Sequence, residues 1–499
     1  MGRYRKLGVN LDRNFRDDYN ANVDDIEVDV DKSLADSSSA KQTADEAKAQ
    51  SENAEIVANQ ANATSDDVQQ QLNTIVIESG TSDAEVLQAR GGEPVLNDRL
   101  NKVDTQLVEK AQVQFDDITV NIPSDFDTLQ EAIDNLSERK PKQGKTIALQ
   151  MESGYRPSKG LKVENGDYSH FIISSVDAEV LVSDDYTGNF LEAYRANAPK
   201  LSCLINANLK GGAGVWLDEQ SDGYVSVGAG VKNTYDRGLY VNKTSRVWAE
   251  GSIFTGGRIQ ALWVSRVSTA FVDNAFFGGG GAESLDEPLS IHISRQSRVY
   301  GLNINVENSL GTAVKVQRGS IFSAPNGNFS GAQDNGVQIT GGSIAYLESS
   351  LIENTGKIGL ISQGASNVHA IKTSITANAG NTSNGVLCEN ASTLDIDQAT
   401  VTGFGGFNVI ANRVGTINAS GTSISNSGNH GVYCEQGSSI NLRSASVKDS
   451  GNKDLSILRG SFLNAFDCST TNGVGSPALG DTNVTAFNAI QGSQGIIWS

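Results

Sequence analysis

From residue 214 onward the chain repeats itself with a period of 23. Units begin near Gly214, Gly238, Ala261, Ser290, Ala313, Gly336, Gly359, Gly385, Asn408 and Gly431, at spacings of 24, 23, 29, 23, 23, 23, 26, 23 and 23 residues. A fixed period in this range means stacked repeats, each touching only its neighbours. Every unit opens with an apolar–any–apolar triplet, as in Val215-Trp216-Leu217, Leu239-Tyr240-Val241, Leu262-Trp263-Val264, Ile291-His292-Ile293 and Val314-Lys315-Val316. That alternation reads as a strand with its outer two side chains inward and its middle one outward. A second triplet follows about eight residues later, as in Val247-Trp248-Ala249 and Ala270-Phe271-Val272. A third apolar position lies sixteen residues into the unit: Phe254, Phe277, Val306, Phe329, Ile352, Ile375, Val401, Ile424 and Val447. Three short strands per turn predict a parallel β-helix. Corners such as Asn378-Ala379-Gly380-Asn381 supply the positive φ values its turns need. A leucine-rich repeat lacks its framework here, a propeller blade is longer, and helical repeats would show a 3.6-residue spacing.

Composition narrows the function classes. The 499 residues carry a net charge of −19, which argues against general nucleic-acid binding, since phosphate contacts need a basic footprint. No stretch of about 18 apolar residues exists, so membrane insertion is not expected. The four cysteines, Cys203, Cys388, Cys434 and Cys468, form no Cys-x-x-Cys pair, and the four histidines share no metal-ligand spacing. Neither a metal nor a cofactor is expected. The basic start, Met1-Gly2-Arg3-Tyr4-Arg5-Lys6, is followed by no apolar h-region, so synthesis in a cytoplasm without a signal peptide is the expectation.

The regions outside the repeat differ in kind. Over 23–75, small or apolar residues fall on a strict 3-4 alternation, from Val23, Ile26 and Val30 to Val68, Leu72 and Ile75. This predicts a left-handed coiled coil with an Ala/Ser-rich seam. Five segments follow: 1–78, an attachment segment and coiled-coil rod; 79–114, a connector and short coiled-coil neck around Leu96, Leu100, Val103 and Leu107; 115–165, a helix-plus-strand cap; 166–469, the β-helix; and 470–499, a C-terminal cap or tail. In the cap, Asp127 and Gln130 suggest a capping box, and Leu129, Ile133 and Leu136 one apolar helix face.

This order of rod, neck, cap and solenoid resembles bacteriophage and prophage tail spikes and neck-appendage proteins. The cap helix Phe126-Asp127-Thr128-Leu129-Gln130-Glu131-Ala132-Ile133 looks like the start of pectate-lyase-like spike domains. The segment from Glu85 through Gly92 to Leu100 resembles a connector in appendages of phages of Gram-positive bacteria. The resemblance implies a mainly β fold, a right-handed parallel β-helix preceded by an α-helical coiled coil, assembled as a homotrimer. It implies a virion location, attachment to tail or neck proteins through the N-terminus, and a host glycopolymer, teichoic acid or capsule, as partner. Such proteins bind that polymer and often degrade it. A non-enzymatic adhesin and a structural spike of the same fold are the alternatives.

Aligning the units gives ladders of outward residues: Trp216, Tyr240, Trp263 and His292 on the first strand, and Trp248, Phe271, Tyr300, Ser323, Tyr346 and His369 on the second. They can stack on sugar rings or pack between subunits. Glu250 and Asp273 fall at equivalent places on adjacent coils, two residues past the second ladder. Paired carboxylates suit glycosidic acid/base chemistry. They are the expected catalytic residues if the protein is a depolymerase, with Asp395 and Asp397 as second choice. The six-residue excess after Gly278-Gly279-Gly280-Gly281 adds Glu283, Asp286 and Glu287 to that neighbourhood. Trp216, Tyr240, Trp263, Trp248, Phe271, Tyr300, Arg246 and Arg298 are the expected substrate contacts. Residues 237–318 hold nine basic and six acidic side chains, about +3 within an acidic chain, which suits an anionic glycopolymer.

Overall fold

The computed structural model describes residues 116–139, 141–281 and 288–471, with the backbone of three short strands beyond (Val474–Gly475, Asn488–Ala489 and Ile496–Trp498). The rod, the neck, Glu283, Asp286, Glu287 and most of the tail lie outside the described residues.

Parallel pairing of the predicted triplets builds a β-solenoid. Its first sheet has 14 strands, from Lys159–Glu164 to Val474–Gly475. Leu239 pairs with Val215 and with Leu262, which pairs with Ile291, which pairs with Val314. The unit starts read from the sequence therefore stack in register, coil on coil. The second sheet has 13 strands, parallel except where Asn488–Ala489 runs against Ile496–Trp498. The third comes in a 4-stranded and a 6-stranded part, linked by single bridges from Ile253 through Phe276, Asn305 and Asn328 to Leu351. All nine predicted third-strand apolar residues are fully buried, and Phe254 stacks on Phe277 at 6.0 Å. Cys388 and Cys434 point inward two coils apart with Ala411 between them, and burial pushes both thiols up to about 12.

The N-terminal end is closed by a helix. Strand Ile118–Ile122 pairs with Ile147–Met151, and the helix Leu129–Leu136 between them buries Leu129, Ala132, Ile133 and Leu136. Its cap lies one residue later than the sequence suggests. Thr128 is the N-cap, its hydroxyl accepting the Glu131 amide at 3.1 Å, while the Glu131 carboxylate accepts the Asp127 amide. Gln130 instead accepts the Lys162 amide at 2.7 Å, which ties the helix to the first solenoid strand.

A buried serine column holds the corner between the first and second strands. Ser221, Ser245, Ser268, Ser297, Ser320, Ser343, Ser366, Ser392, Ser438 and Ser461 are all buried there. The amides of Ser297, Ser320 and Ser343 donate to the hydroxyls of Ser320, Ser343 and Ser366 on the next coil, at 3.2–3.3 Å. This corner would otherwise leave one buried N–H per coil without a partner. Ser320→Ala is expected to cost about 1–3 kcal/mol by stranding the Ser297 amide. Chemical denaturation checks the cost, and faster hydrogen exchange at Ser297 checks its cause.

Candidate functional site

The outward faces flanking that serine corner carry both aromatic ladders, and the two differ in what they leave open. On the first strand, Trp216 meets Tyr240 edge-on at 4.4 Å, Tyr240 lies 4.9 Å from Trp263, and Trp263 stacks on His292 at 5.3 Å. Arg237 lies over Trp263 at 4.3 Å and over Tyr240 at 5.1 Å, and it pairs with Asp236 at 2.7 Å. Its Nε donates to Gln260, and the amide nitrogens of Gln260 and Gln317 lie 3.3 and 2.8 Å from the two His292 ring nitrogens. Tyr240 is only 7% exposed and burial raises its phenol pKa. The chain's own polar groups cover Tyr240 and leave little of it for a ligand, while Trp216, Trp263 and His292 are half-buried.

The second ladder is open. It starts one coil before the sequence reading, at Tyr224, which stacks on Trp248 at 4.7 Å and 8°. Trp248 stacks on Phe271 and Phe271 on Tyr300, both at 5.7 Å. Tyr224 is 42% exposed and Phe271 37%. The rings lie nearly parallel, so each spends its faces on its neighbours and offers solvent an edge. Tyr300 pairs with Ser323, which breaks the ladder for one coil before Tyr346 and His369 resume it at 5.2 Å.

Between the ladders runs a column of turn residues with positive φ: Lys243, Arg266, Arg295 and Arg318 on consecutive coils. The amides of Thr244, Val267 and Gln296 donate to the carbonyls of Arg266, Arg295 and Arg318, which fixes the stacking at about 4.8 Å per coil. The last three side chains are exposed. Elsewhere the same position is neutralised by the preceding coil: Lys243 by Asp218 and Glu219, Arg413 by Glu389 at 3.8 Å, and Arg459 by Glu435 at 3.6 Å. Asn242, Ser265 and Ser294 stand where those coils carry Asp218, Glu389 and Glu435. Arg266, Arg295 and Arg318 thus have no carboxylate partner among the described residues. The signal was present in the sequence as a 23-residue spacing of cations, but it shows only once the turn is aligned.

Other expected contacts are partly committed elsewhere. Arg246 grips Asp222 through two hydrogen bonds, at 2.9 and 2.6 Å, and lies over Trp248. Arg237, Lys243 and Arg246 are therefore balanced by acids at 218–236, just outside the stretch counted as positive. Arg298 is exposed beside Tyr300 and makes no ion pair among the described residues. Glu219 is held down to about 2, chiefly by the Tyr194 hydroxyl and Lys243.

Glu250 and Asp273 occupy equivalent corner positions, since the Gly251 amide donates to the Asp273 carbonyl at 2.7 Å. Both are exposed. The Asp273 carboxylate accepts the Leu302 amide at 2.7 Å and so caps the next coil. Asp395 and Asp397 are closer in sequence than in role. Asp395 begins an amide ladder, accepting from Asn418 at 2.9 Å, which accepts from Asn441, which accepts from Asn464. It also accepts the Asp397 amide. Among the described residues, no three His, Cys, Asp or Glu side chains gather as metal ligands would.

The class defined so far is a parallel β-solenoid with a basic corner between aromatic faces. Comparison with known proteins adds little beyond it. Residues 16–78 match the family model described as an alanine-zipper, major outer membrane lipoprotein. No curated protein matches the chain. Among solved structures, the chain is similar to a periplasmic alginate epimerase, with 12% identity, a TM-score of 0.37, and coverage of 74% of this chain and 89% of that one. It is also similar to the A-module of a mannuronan C-5 epimerase from Azotobacter vinelandii, with 11% identity, a TM-score of 0.24, and coverage of 72% and 81%.

Proposed function

We propose that this chain is a spike-type appendage whose solenoid binds an anionic glycopolymer along the corner between its first and second strands. The observation that carries this reading is the run of three arginines, Arg266, Arg295 and Arg318, without the carboxylates that balance their counterparts on other coils. Like charges stacked at coil spacing repel one another, and a linear polyanion lying along the solenoid axis relieves that repulsion. The flanking ring edges at Trp248, Phe271 and Tyr300 add apolar surface to the same face. A tail-spike or neck-appendage role on a virion infecting a Gram-positive host, as a homotrimer with teichoic acid as the polymer, extends this reading. Its support is the order of rod, neck, cap and solenoid and the connector-like segment from Glu85 to Leu100, while the heptad spacing over 23–75 and the alanine-zipper match over 16–78 bear on the coiled coil alone.

The test is retention of the intact chain on immobilised poly(glycerol phosphate) teichoic acid, a polyuronate and neutral dextran. Retention is expected on both anionic polymers at low salt and is expected to fade as the screening length falls to about 3 Å near 1 M. Equal retention on dextran overturns the reading. The proposed activity is binding, since Asp273 serves as a corner cap and both candidate carboxylates are exposed. Polymer incubated with wild type, Glu250→Gln or Asp273→Asn is therefore expected to keep its length. Shortening by wild type that either variant abolishes would make the pair catalytic and the protein a depolymerase.

A further inference from the structure

The break in the second aromatic ladder has the dimensions of a binding slot. Phe271 covers one face of Tyr300 at 18°, and His369 covers the far face of Tyr346 at 6°. The remaining faces of Tyr300 and Tyr346 look toward each other across Ser323, which pairs with both residues. Two coils separate the rings, about 9.6 Å at about 4.8 Å per coil. Van der Waals contact with both faces takes about 7–8 Å of that distance. What is left suits a puckered ring with axial hydrogens better than a flat one. The Ser323 hydroxyl forms the floor of the slot and makes no hydrogen bond among the described residues. Arg298 lies two residues before Tyr300 on the same strand, and Arg318, the last of the arginine column, lies on the same coil as Ser323.

We infer that this slot receives one pyranose ring of the bound polymer, sandwiched between Tyr300 and Tyr346. The inference rests on the glycan-binding reading above and gives it a single-residue subsite. The three arginines hold the chain by charge, and the slot fixes its register. Filling the slot with an aromatic side chain would make the ladder continuous from Tyr224 to His369 and exclude the sugar. The same stacking that already holds six rings in this column favours that filled arrangement.

The probes are the methyl glycosides of N-acetylglucosamine and glucuronic acid, followed by saturation-transfer NMR on the intact chain. Wild type is expected to transfer saturation to at least one of them. Ser323→Trp and Tyr346→Ala are each expected to reduce that transfer at least about fivefold, in line with loss of a stacked contact. Retention on the polyuronate should fall with it, while retention on unsubstituted poly(glycerol phosphate), which has no pyranose ring, should stay within about twofold because the arginine column is untouched. Equal transfer in wild type and both variants, with unchanged thermal midpoints, overturns the slot and leaves the wider reading standing. No transfer in wild type, despite polymer retention, also overturns the slot alone. Absence of both transfer and retention removes the slot and the glycan-binding reading together.

Discussion

Replacing the three arginines of the column together, as Arg266→Gln, Arg295→Gln and Arg318→Gln, is expected to weaken binding to an anionic polymer about 10–100-fold. Each exposed charge contributes about 0.5–1 kcal/mol against a charged partner, so three contribute about 1.5–3 kcal/mol. The salt dependence should flatten as well, because fewer counterions are released when the polymer docks. Stability should not fall, since each side chain is exposed and the substitutions remove like-charge stacking at coil spacing. Retention at several salt concentrations, read beside the thermal midpoint, checks both halves. The same exchange at Arg413 and Arg459 is the internal control: these arginines are already paired with Glu389 and Glu435, so binding should hardly move. A binding loss at Arg413→Gln and Arg459→Gln equal to that of the triple variant would place the polymer elsewhere on the solenoid.

Much of this architecture was legible because a solenoid converts sequence period directly into spatial register. Once Leu239, Leu262 and Ile291 are aligned by spacing, their pairing follows, and so do the ladders Trp216 to His292 and Trp248 to His369. Orientation around the side-chain bonds is not in the period. The sequence placed Trp248, Phe271 and Tyr300 in a row, but not that parallel stacking would spend their faces on each other and leave only edges to a ligand. Nor did it separate the covered Tyr240 from the exposed Phe271. Tyr240 is buried where Arg237, held by Asp236 on its own coil and by Gln260 on the next, lies over it. The arginine column was hidden for a different reason. Turn positions with positive φ are expected to hold glycine or asparagine, and a cation there reads as an ordinary surface charge. Its meaning appears only by contrast with Glu389 and Glu435 on other coils. Asp395 shows what spacing leaves out. A carboxylate pair two residues apart reads as chemical from the sequence, and the structure adds the amide ladder of Asn418, Asn441 and Asn464 that Asp395 begins.

Glycine at the start of a coil and glycine in its first corner have different physical causes, and two substitutions separate them. At Gly336 a Cβ would meet Ile352 Cγ2 and Thr355 Cγ2 and would stand 2.5 Å from the Gly359 carbonyl oxygen, so neither backbone nor packed core can yield cheaply. At Gly342, with φ of 71°, a Cβ would meet nothing within 4 Å, and Val267 and Ala365 already hold the corresponding left-handed corner on other coils. Gly342→Ala is therefore expected to cost about 1–2 kcal/mol, the ordinary price of that conformation. Gly336→Val forces a branched side chain into a filled coil, and overpacking of this kind costs about 3 kcal/mol or more. The consequence is local in a solenoid, because each coil is held by its two neighbours alone. Limited proteolysis of Gly336→Val should cut near that coil and release two fragments, with the coils on either side losing their shared interface. Gly342→Ala should resist the protease nearly as wild type does. Equal resistance in both variants would mean that the coils at 336 and 359 can move apart at little cost, contrary to the close packing that Ile352 and Gly359 impose on this strand.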